Sequence, residues 1–210
     1  MGVGIGLGCA EFPFSGAAAY WRWIDMCEAG GVDSIWQTDR IVGRQPFLES
    51  MTTMAALAGR TRRMRFGMNV VSLAFRDPVL LAKQCATIDV LSEGRLEVGI
   101  GAGWKRKDYD SAGIPMDEPK VRVDRMIEHT TVLKGLFAPG PFTFAGEHYQ
   151  IADLDGTPAP HRPGGPPILI GGGAKRVLRF AGATADIIGL NASILSGEVD
   201  GEAARDGAAD

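Results

Sequence analysis

Six short apolar runs of the chain each end in polar or glycine residues that could do chemistry. These tails are residues 9–11, 38–40, 69–72, 101–104, 171–174 and 191–193. Carboxylates such as Asp39 and Glu11 can serve as acid, base or hydrogen-bond partner when they stand at the mouth of a pocket. A salt bridge to a basic neighbour is the alternative use of Asp39, and spacing alone leaves both interpretations open.

The consecutive glycines Gly171, Gly172 and Gly173 stand where an apolar run changes into a helical pattern. Glycines at such a junction expose backbone N–H groups, and the start of the helix favours an anion, so this turn predicts a seat for a cofactor phosphate. A turn selected only for tight packing is the alternative. Residues 2–8 and 99–103 lack the dinucleotide-binding spacing. Their alternate glycines, including Gly101 and Gly103, better fit small residues that let a flat ring approach.

Runs of strand length alternate with helical stretches, which is typical of βαβ units in a parallel sheet. The predicted strands are residues 3–7, 34–37, 65–71, 96–100, 167–170 and 186–190, and the predicted helices are about 17–29, 48–59, 78–91, 117–137 and 174–183. In a parallel α/β barrel the active site lies at the carboxyl ends of the strands. The six tails are therefore expected to meet at one end of the fold.

The fold class predicted is α/β, a (β/α)8 barrel in one domain over residues 1–210. Residues 139–166 are predicted to form an excursion between strands four and five, with a hairpin over 142–151. Such barrels usually need about 250 residues, so the last two of the eight βα units are expected to be missing. A further helix is predicted to begin at Asp200.

Composition favours small-molecule chemistry. A net charge of −3 gives no electrostatic reason to expect nucleic acid or an acidic membrane surface. The three cysteines are far apart and lack metal-ligand spacing, which favours buried structural thiols, no metal and a reducing compartment. No apolar run of about 18 residues occurs, so the cytoplasm is the expected location. The three histidines and the basic groups at 60–65 and 105–107 are interpreted as surface residues.

Several motifs together resemble those of the luciferase-like flavin- or deazaflavin-dependent oxidoreductases. They are DSIWQTD at 33–39, RDP at 76–78, AKQCATID at 82–89, LSEGR at 91–95, GIGAGW at 99–104 and PILIGG at 167–172. The resemblance covers nearly the whole chain and is closer to the deazaflavin users. It implies a barrel, often dimeric, that binds coenzyme F420 or FMN at the strand ends and passes a hydride to or from an organic substrate.

The resemblance also implies roles for individual residues. A non-proline cis peptide is expected between Asn69 and Val70, pushing a bulge against the back of the ring. Asp39 would touch the polar edge of the ring, and Gly172 and Gly173 would hold the phosphate. The candidate cofactor-binding residues are Asp39, Asn69, Val70, Gly101, Gly103, Gly171, Gly172 and Gly173.

Two departures from the family's sugar-phosphate dehydrogenases affect the expected substrate. Arg40 stands where those enzymes have a histidine, and Trp104 stands where they have an acidic glutamate. Sugar-phosphate oxidation is therefore not expected. Arg40 and Trp104 would instead shape the substrate side, and with Asp39 they are the candidate catalytic residues.

The leading hypothesis is an F420-dependent oxidoreductase that acts on an unidentified small organic molecule. An FMN-dependent monooxygenase of the same fold is the nearest alternative. A truncated, inactive remnant or interaction module is an alternative from another class, and it predicts exposed apolar edges at strands one and six. An NAD-binding open sheet is supported only by Asp39 at the end of strand two.

Overall fold

A computed structural model describes residues 3–190 of the chain. Its strands are β1 Gly6–Cys9, β2 Ser34–Gln37, β3 Arg65–Met68, β4 Val71–Ser72, β5 Leu96–Gly101, β6 Pro141–Ala145, β7 Gln150–Asp155, β8 Ile168–Gly172 and β9 Ile187–Leu190. Its α-helices are α1 Ala17–Ala29, α2 Ser50–Arg60, α3 Pro78–Leu91, α4 Arg106–Ala112, α5 Pro119–Phe137 and α6 Lys175–Thr184. A short 3-10 helix occupies Leu73–Phe75.

The main sheet is parallel throughout, with the order β1-β2-β3-β5-β8-β9. β4 continues the line of β3 and pairs with β5, so the seven strands fill six barrel positions. Among the described residues, β1 and β9 stand at opposite ends of this order and do not pair with each other. The (β/α)8 class is thus confirmed, in an incomplete barrel with six of the eight strand positions.

Three of the helices, α2, α3 and α5, begin at a side-chain cap or a proline. Asp77 caps α3 by accepting bonds from the N–H groups of Val79 and Leu80 at 2.9 and 3.1 Å, and Pro78 fills the first helical position. β5 is buried over its whole length, as expected for a strand covered on both faces. The core therefore lies between β5, its neighbours and helices α2, α3 and α5.

The excursion between β5 and β8 contains the predicted hairpin, which is somewhat longer than expected. β6 and β7 pair antiparallel, with a shift in register between Phe142 and Phe144. The Glu128 carboxylate on α5 anchors the turn by accepting bonds from three successive backbone N–H groups, those of Glu147, His148 and Tyr149, at 2.8, 2.9 and 3.2 Å. The hairpin is thereby fixed to the outside of α5.

Several sequence predictions are wrong in detail. The first strand is Gly6–Cys9 and not residues 3–7, because its pairing with Ser34–Gln37 sets its register. Residues 106–112 form α4, whose charged start hides the buried Asp108 and Tyr109. His129 is fully buried and not at the surface, while Cys9 is only half-buried. The predicted tail at 191–193 and the helix at Asp200 lie outside the described residues.

Within residues 3–190, no helix is both long and apolar enough to cross a membrane. The same residues contain no group of three or more His, Cys, Asp or Glu side chains placed to hold a metal ion.

Candidate functional site

The carboxyl ends of the parallel strands bring most of the predicted site residues to one edge of the sheet. The peptide bond between Asn69 and Val70 is cis, as the family resemblance implies. Asn69 donates its backbone N–H to the Gln37 carbonyl at 2.8 Å, which joins the end of β2 to the break between β3 and β4. The break in the third strand position is therefore held against its neighbour.

Val70 forms a wedge between the ends of β5 and β8. A β-carbon on Gly101 would collide with the Val70 side chain, and one on Gly171 would lie 2.8 Å from it. The Asn69 amide oxygen would lie 3.9 Å from the same position on Gly171. The structure therefore brings Asn69, Val70, Gly101 and Gly171 together. We call these four residues the glycine seat.

Gly103 lies in the loop that follows β5 and has a left-handed φ of 77°, which favours glycine. Its carbonyl accepts a hydrogen bond from the Arg122 guanidinium on α5, and a β-carbon there would collide with the Tyr109 hydroxyl. The Tyr109 hydroxyl and the Arg122 Nε are buried, and neither has a hydrogen-bond partner among the described residues. α4 and α5 thus fix the position of this loop.

The turn from β8 into α6 contains the remaining glycines. β8 ends at Gly172, and α6 begins at Lys175 with no side-chain bond at its N-cap, Ala174. The first N–H groups of such a helix have no partner within it and are available to an anion. Gly172 is half-buried and Gly173 is exposed, so the turn is accessible.

Asp39 is buried at the end of β2, and protein groups bind both of its carboxylate oxygens. Ser50 donates its hydroxyl at 2.8 Å, Ser72 donates its N–H at 3.1 Å, and the Arg76 guanidinium donates at 2.9 and 3.2 Å. The salt bridge considered from sequence therefore exists, but its partner is Arg76 and not a neighbour of Arg40. Contact of Asp39 with a cofactor ring stays a prediction.

Arg76 also binds Glu49, at 2.6 Å. Burial opposes the charge on Arg76, but its bonds to Asp39 and Glu49 outweigh this effect and raise the pKa of Arg76. Burial raises the pKa of Glu49, yet hydrogen bonds from Thr52, Arg76 and Met51 outweigh it and bring that pKa to about 2. The three charges form one ionised network that joins the ends of β2 and β4 to the start of α2.

An open cleft of about 590 Å³ lies over the ends of β1 and β2. We call it the β1–β2 cleft. Its lining includes Glu11, Phe14, Trp23, Thr38, Arg40 and Phe47. Arg40 lies 5.5 Å from the Phe47 ring centroid, and its Nε is 2.5 Å from a carboxylate oxygen of Asp108. Arg40 is thus a wall of the cleft, held by α4.

Trp104 does not line this cleft. Its side chain is largely exposed, and the Lys105 ammonium lies 4.6 Å from its ring centroid. The three candidate catalytic residues are therefore separated: Asp39 is buried in its network, Arg40 faces the cleft, and Trp104 faces solvent.

Sequence reasoning missed several residues that hold the site in place, namely Ser50, Arg76, Asp108, Tyr109 and Arg122. Arg76 belongs to the RDP motif, so its recurrence with Asp39 in one set of motifs was a usable signal. Asp108, Tyr109 and Arg122 carried no such signal, because their importance comes from contacts in the folded protein. Asp108 lies 68 residues along the sequence from its partner Arg40, and Arg122 lies 19 residues from its partner Gly103.

A parallel sheet whose strands pair in chain order, with covering helices and glycine-rich strand ends, is typical of the (β/α)8 barrel class and not of a doubly wound sheet. A model of the luciferase-like monooxygenase family matches residues 14–209. The chain belongs to this family, which confirms the resemblance seen in the sequence.

Two curated relatives show the range of the family. An uncharacterised protein of Mycobacterium tuberculosis is 39% identical over 137 residues, covering 65% of this chain and 46% of its own length. The F420-dependent glucose-6-phosphate dehydrogenase of Amycolatopsis mediterranei is 30% identical over 166 residues, covering 76% of this chain and 49% of its own length. The chain thus spans about half the length of these relatives.

Solved structures agree on the fold. An F420-dependent secondary alcohol dehydrogenase matches with a TM-score of 0.80 and 21% identity, over 90% of this chain and 58% of that one. The FMN-bound oxygenating constituent of 3,6-diketocamphane monooxygenase from Pseudomonas putida matches with a TM-score of 0.67 and 21% identity, over 87% and 55%. At these identities the likeness establishes the fold, and the neighbours include both F420 and FMN proteins.

Proposed function

We propose that the chain is an oxidoreductase that transfers a hydride between coenzyme F420 and a small organic substrate. The observation that carries the proposal is the glycine seat, where Val70 stands between two glycines that have no room for a side chain. The Val70 side chain occupies the space that side chains at these two positions would take, and this fixed apolar surface fits one face of a flat ring. The proposal keeps the cytoplasm as the location, a homodimer as the assembly and a single domain over residues 1–210.

The residues present fit the parts of such a cofactor. Asn69 and Val70 would support the back of the ring. Gly101 and Gly171 leave room for the Val70 side chain, and Gly103 leaves room for the Tyr109 hydroxyl, so that the strand ends beside the ring stay closely packed. The N–H groups at Gly172 and Gly173 would bind the phosphate. When bound, the deazaflavin supplies the hydride chemistry, while the protein orients ring and substrate. Arg40 would shape the substrate side as a wall of the β1–β2 cleft, and Trp104, which does not line that cleft, would contribute only from the loop after β5. The Asp39 network would hold the ends of β2 and β4 beside the ring.

Separate titrations with F420 and FMN, followed by oxygen uptake with the reduced cofactor, test the proposal. We expect F420 to bind, and we expect no oxygen consumption. Gly171→Ala should weaken F420 binding about tenfold or more, because its β-carbon would press on Val70. Gly182→Ala is the matched control, since a β-carbon at that helical glycine meets nothing within 4 Å.

An FMN-dependent monooxygenase is the second candidate, and it is supported by structural neighbours that contain FMN. Tight FMN binding with oxygen consumption would establish it and overturn the F420 proposal. An inactive remnant is the third candidate, supported by the exposed residues of β1 and β9 at the ends of the sheet. It predicts that neither cofactor binds.

A further inference from the structure

We propose that the β1–β2 cleft binds the organic substrate, and that this substrate is an apolar, ring-bearing compound that is neutral or positively charged. The inference rests on the proposed function, because it takes the glycine seat as the cofactor's place. It adds the substrate class, which the walls and the charges of the cleft restrict.

The walls of the cleft are aromatic and supported from behind. Phe14 and Trp23 lie with their ring centroids 5.5 Å apart, and Tyr20, which is buried, packs against both at 5.3 and 6.2 Å. Phe47 contributes a third ring to the lining. Aromatic faces bind flat or apolar groups, and about 590 Å³ is within the range of sites for small organic ligands.

The positive charge in the lining is already neutralised. The Arg40 Nε binds Asp108 at 2.5 Å, and an Nη binds the Val42 carbonyl at 2.8 Å. The Asp108 side chain is only 3% exposed, so water competes little with Arg40 for hydrogen bonds to this carboxylate. Because Asp108 already neutralises Arg40, a phosphate or carboxylate entering the cleft gains less from Arg40 than it would from an unpaired guanidinium.

The negative charge in the lining is not neutralised. Glu11 is exposed, and it has no ion-pair partner among the side chains that the structure describes. With Arg40 paired, Glu11 is the charged residue of the lining that has no opposite charge beside it in the described part of the chain. Anionic substrates are therefore disfavoured, and a cationic group on the substrate gains a weak attraction.

The cleft adjoins the glycine seat through the end of β2. Thr38 lines the cleft, and the carbonyl of its neighbour Gln37 accepts the N–H bond from Asn69 in the seat. A ligand in the cleft would thus lie beside the ring that the seat is proposed to support. This adjacency is what distinguishes a substrate site from an unrelated surface cleft.

Calorimetric titration of the full chain without cofactor tests the inference, using three probes with the same ring. The probes are naphthylmethanol, naphthylmethylammonium and naphthoate. We expect the neutral and cationic probes to bind and naphthoate to bind about tenfold more weakly than the cation. Equal affinity for naphthoate and the cation, or binding of none of the three, would overturn the inference.

Variants locate the binding. Glu11→Lys should weaken the cation and tighten naphthoate, each about threefold, because it reverses the exposed charge. Glu147→Lys makes the same change on the distant hairpin and should alter neither affinity. Phe47→Ala should weaken all three probes about fivefold through loss of a wall. The Glu11 side chain is exposed, and an unchanged probe preference in Glu11→Lys would contradict the inference.

The outcome is separable from that of the proposed function. The probe titrations contain no cofactor, and the cofactor titrations contain no probe. If F420 binds and the probes do not, the substrate inference fails while the proposed function stands. If the probes bind with the expected preference and neither cofactor binds, the proposed function fails. The cleft is then a binding site, but it is not the substrate site of a cofactor-dependent enzyme.

Discussion

The two sides of the strand-end edge differ in how tightly they are packed. On the side of β5 and β8, every residue of β5 is buried, and β-carbons on Gly101 and Gly171 would meet Val70. On the side of β1 and β2, β1 alternates between exposed and half-buried residues, and a β-carbon on Gly8 would meet nothing within 4 Å. The packed side suits a rigid cofactor, whereas the open side suits a substrate that differs among relatives.

Asp39→Asn gives the largest expected effect, because the Asp39 network joins the two sides. Breaking a buried ion pair while keeping one partner costs about 4 kcal/mol, since Arg76 would keep its charge with half of its partners. Urea denaturation measures the free energy of unfolding. A loss below about 1 kcal/mol would show that the two sides hold together without this network.

The next largest effect is expected in the pH dependence of stability, and it comes from a buried histidine on α5. His129 is fully buried on α5, with neither ring nitrogen bonded in the described part of the chain. Burial lowers its pKa from 6.5 to about 4, against a smaller opposing effect of Asp77. Between these two values the unfolded chain binds the proton and the folded chain does not, so stability falls as pH drops from 6.5 towards 4, by about 3 kcal/mol in all.

His129→Phe should remove this loss, because a phenyl ring cannot be protonated and can keep the edge-on contact with Tyr149. His161→Gln at an exposed position should keep it. Urea denaturation at a series of pH values between 4 and 7 provides the measurement. If the free energy of unfolding of His129→Phe still falls as the pH drops from 6.5 towards 4, the pH dependence belongs to other groups.

Paired glycine substitutions compare the two sides directly. Gly99→Ala in β5 should destabilise the protein by about 2 kcal/mol, because its β-carbon would collide with the backbone carbonyl of Met68. Gly8→Ala in β1 should change stability by less than about 0.5 kcal/mol. Thermal denaturation of both variants checks the pair. Similar losses would contradict the difference in packing.

A small, salt-dependent effect is expected at an exposed ion pair beside β1 and β2. Asp25 on α1 and Arg60 on α2 are 2.5 Å apart, and each side chain is about half exposed. Asp25→Asn should therefore lower the free energy of unfolding only slightly, and the loss should shrink further in high salt. Urea denaturation at low and high salt measures this loss and compares it with the loss in Asp39→Asn. A salt-independent loss as large as that of Asp39→Asn would show that this surface is more rigid than its exposure indicates.

Sequence patterns predicted elements with strong local signals. β2 and α1 were predicted with the bounds that the structure has, and the Asp77–Pro78 start of α3 follows directly from its cap. The first strand was misplaced because glycines alternate with apolar residues through residues 2–8 and mark no boundary. α4 was missed because a charged helix start looks like a solvated loop when its buried partners are unknown.

The candidate site was predictable as a set of strand ends but not as contacts. The family resemblance implied the cis bond at Asn69 and Val70, and the structure contains it. The contact of Asp39 with Arg76, 37 residues away, was signalled only by their presence in one set of motifs, and the contact of Arg40 with Asp108, 68 residues away, had no signal. Burial of His129 likewise depends on a hairpin that folds back over α5, which no local pattern encodes.

A crystal structure of the chain with F420 would test the division between the two sides most directly. We expect one face of the deazaflavin ring against Val70, between Gly101 and Gly171, with the phosphate at the Gly172 and Gly173 turn and the β1–β2 cleft left open for substrate. A ring seated in the β1–β2 cleft, with Val70 uncontacted, would contradict the account.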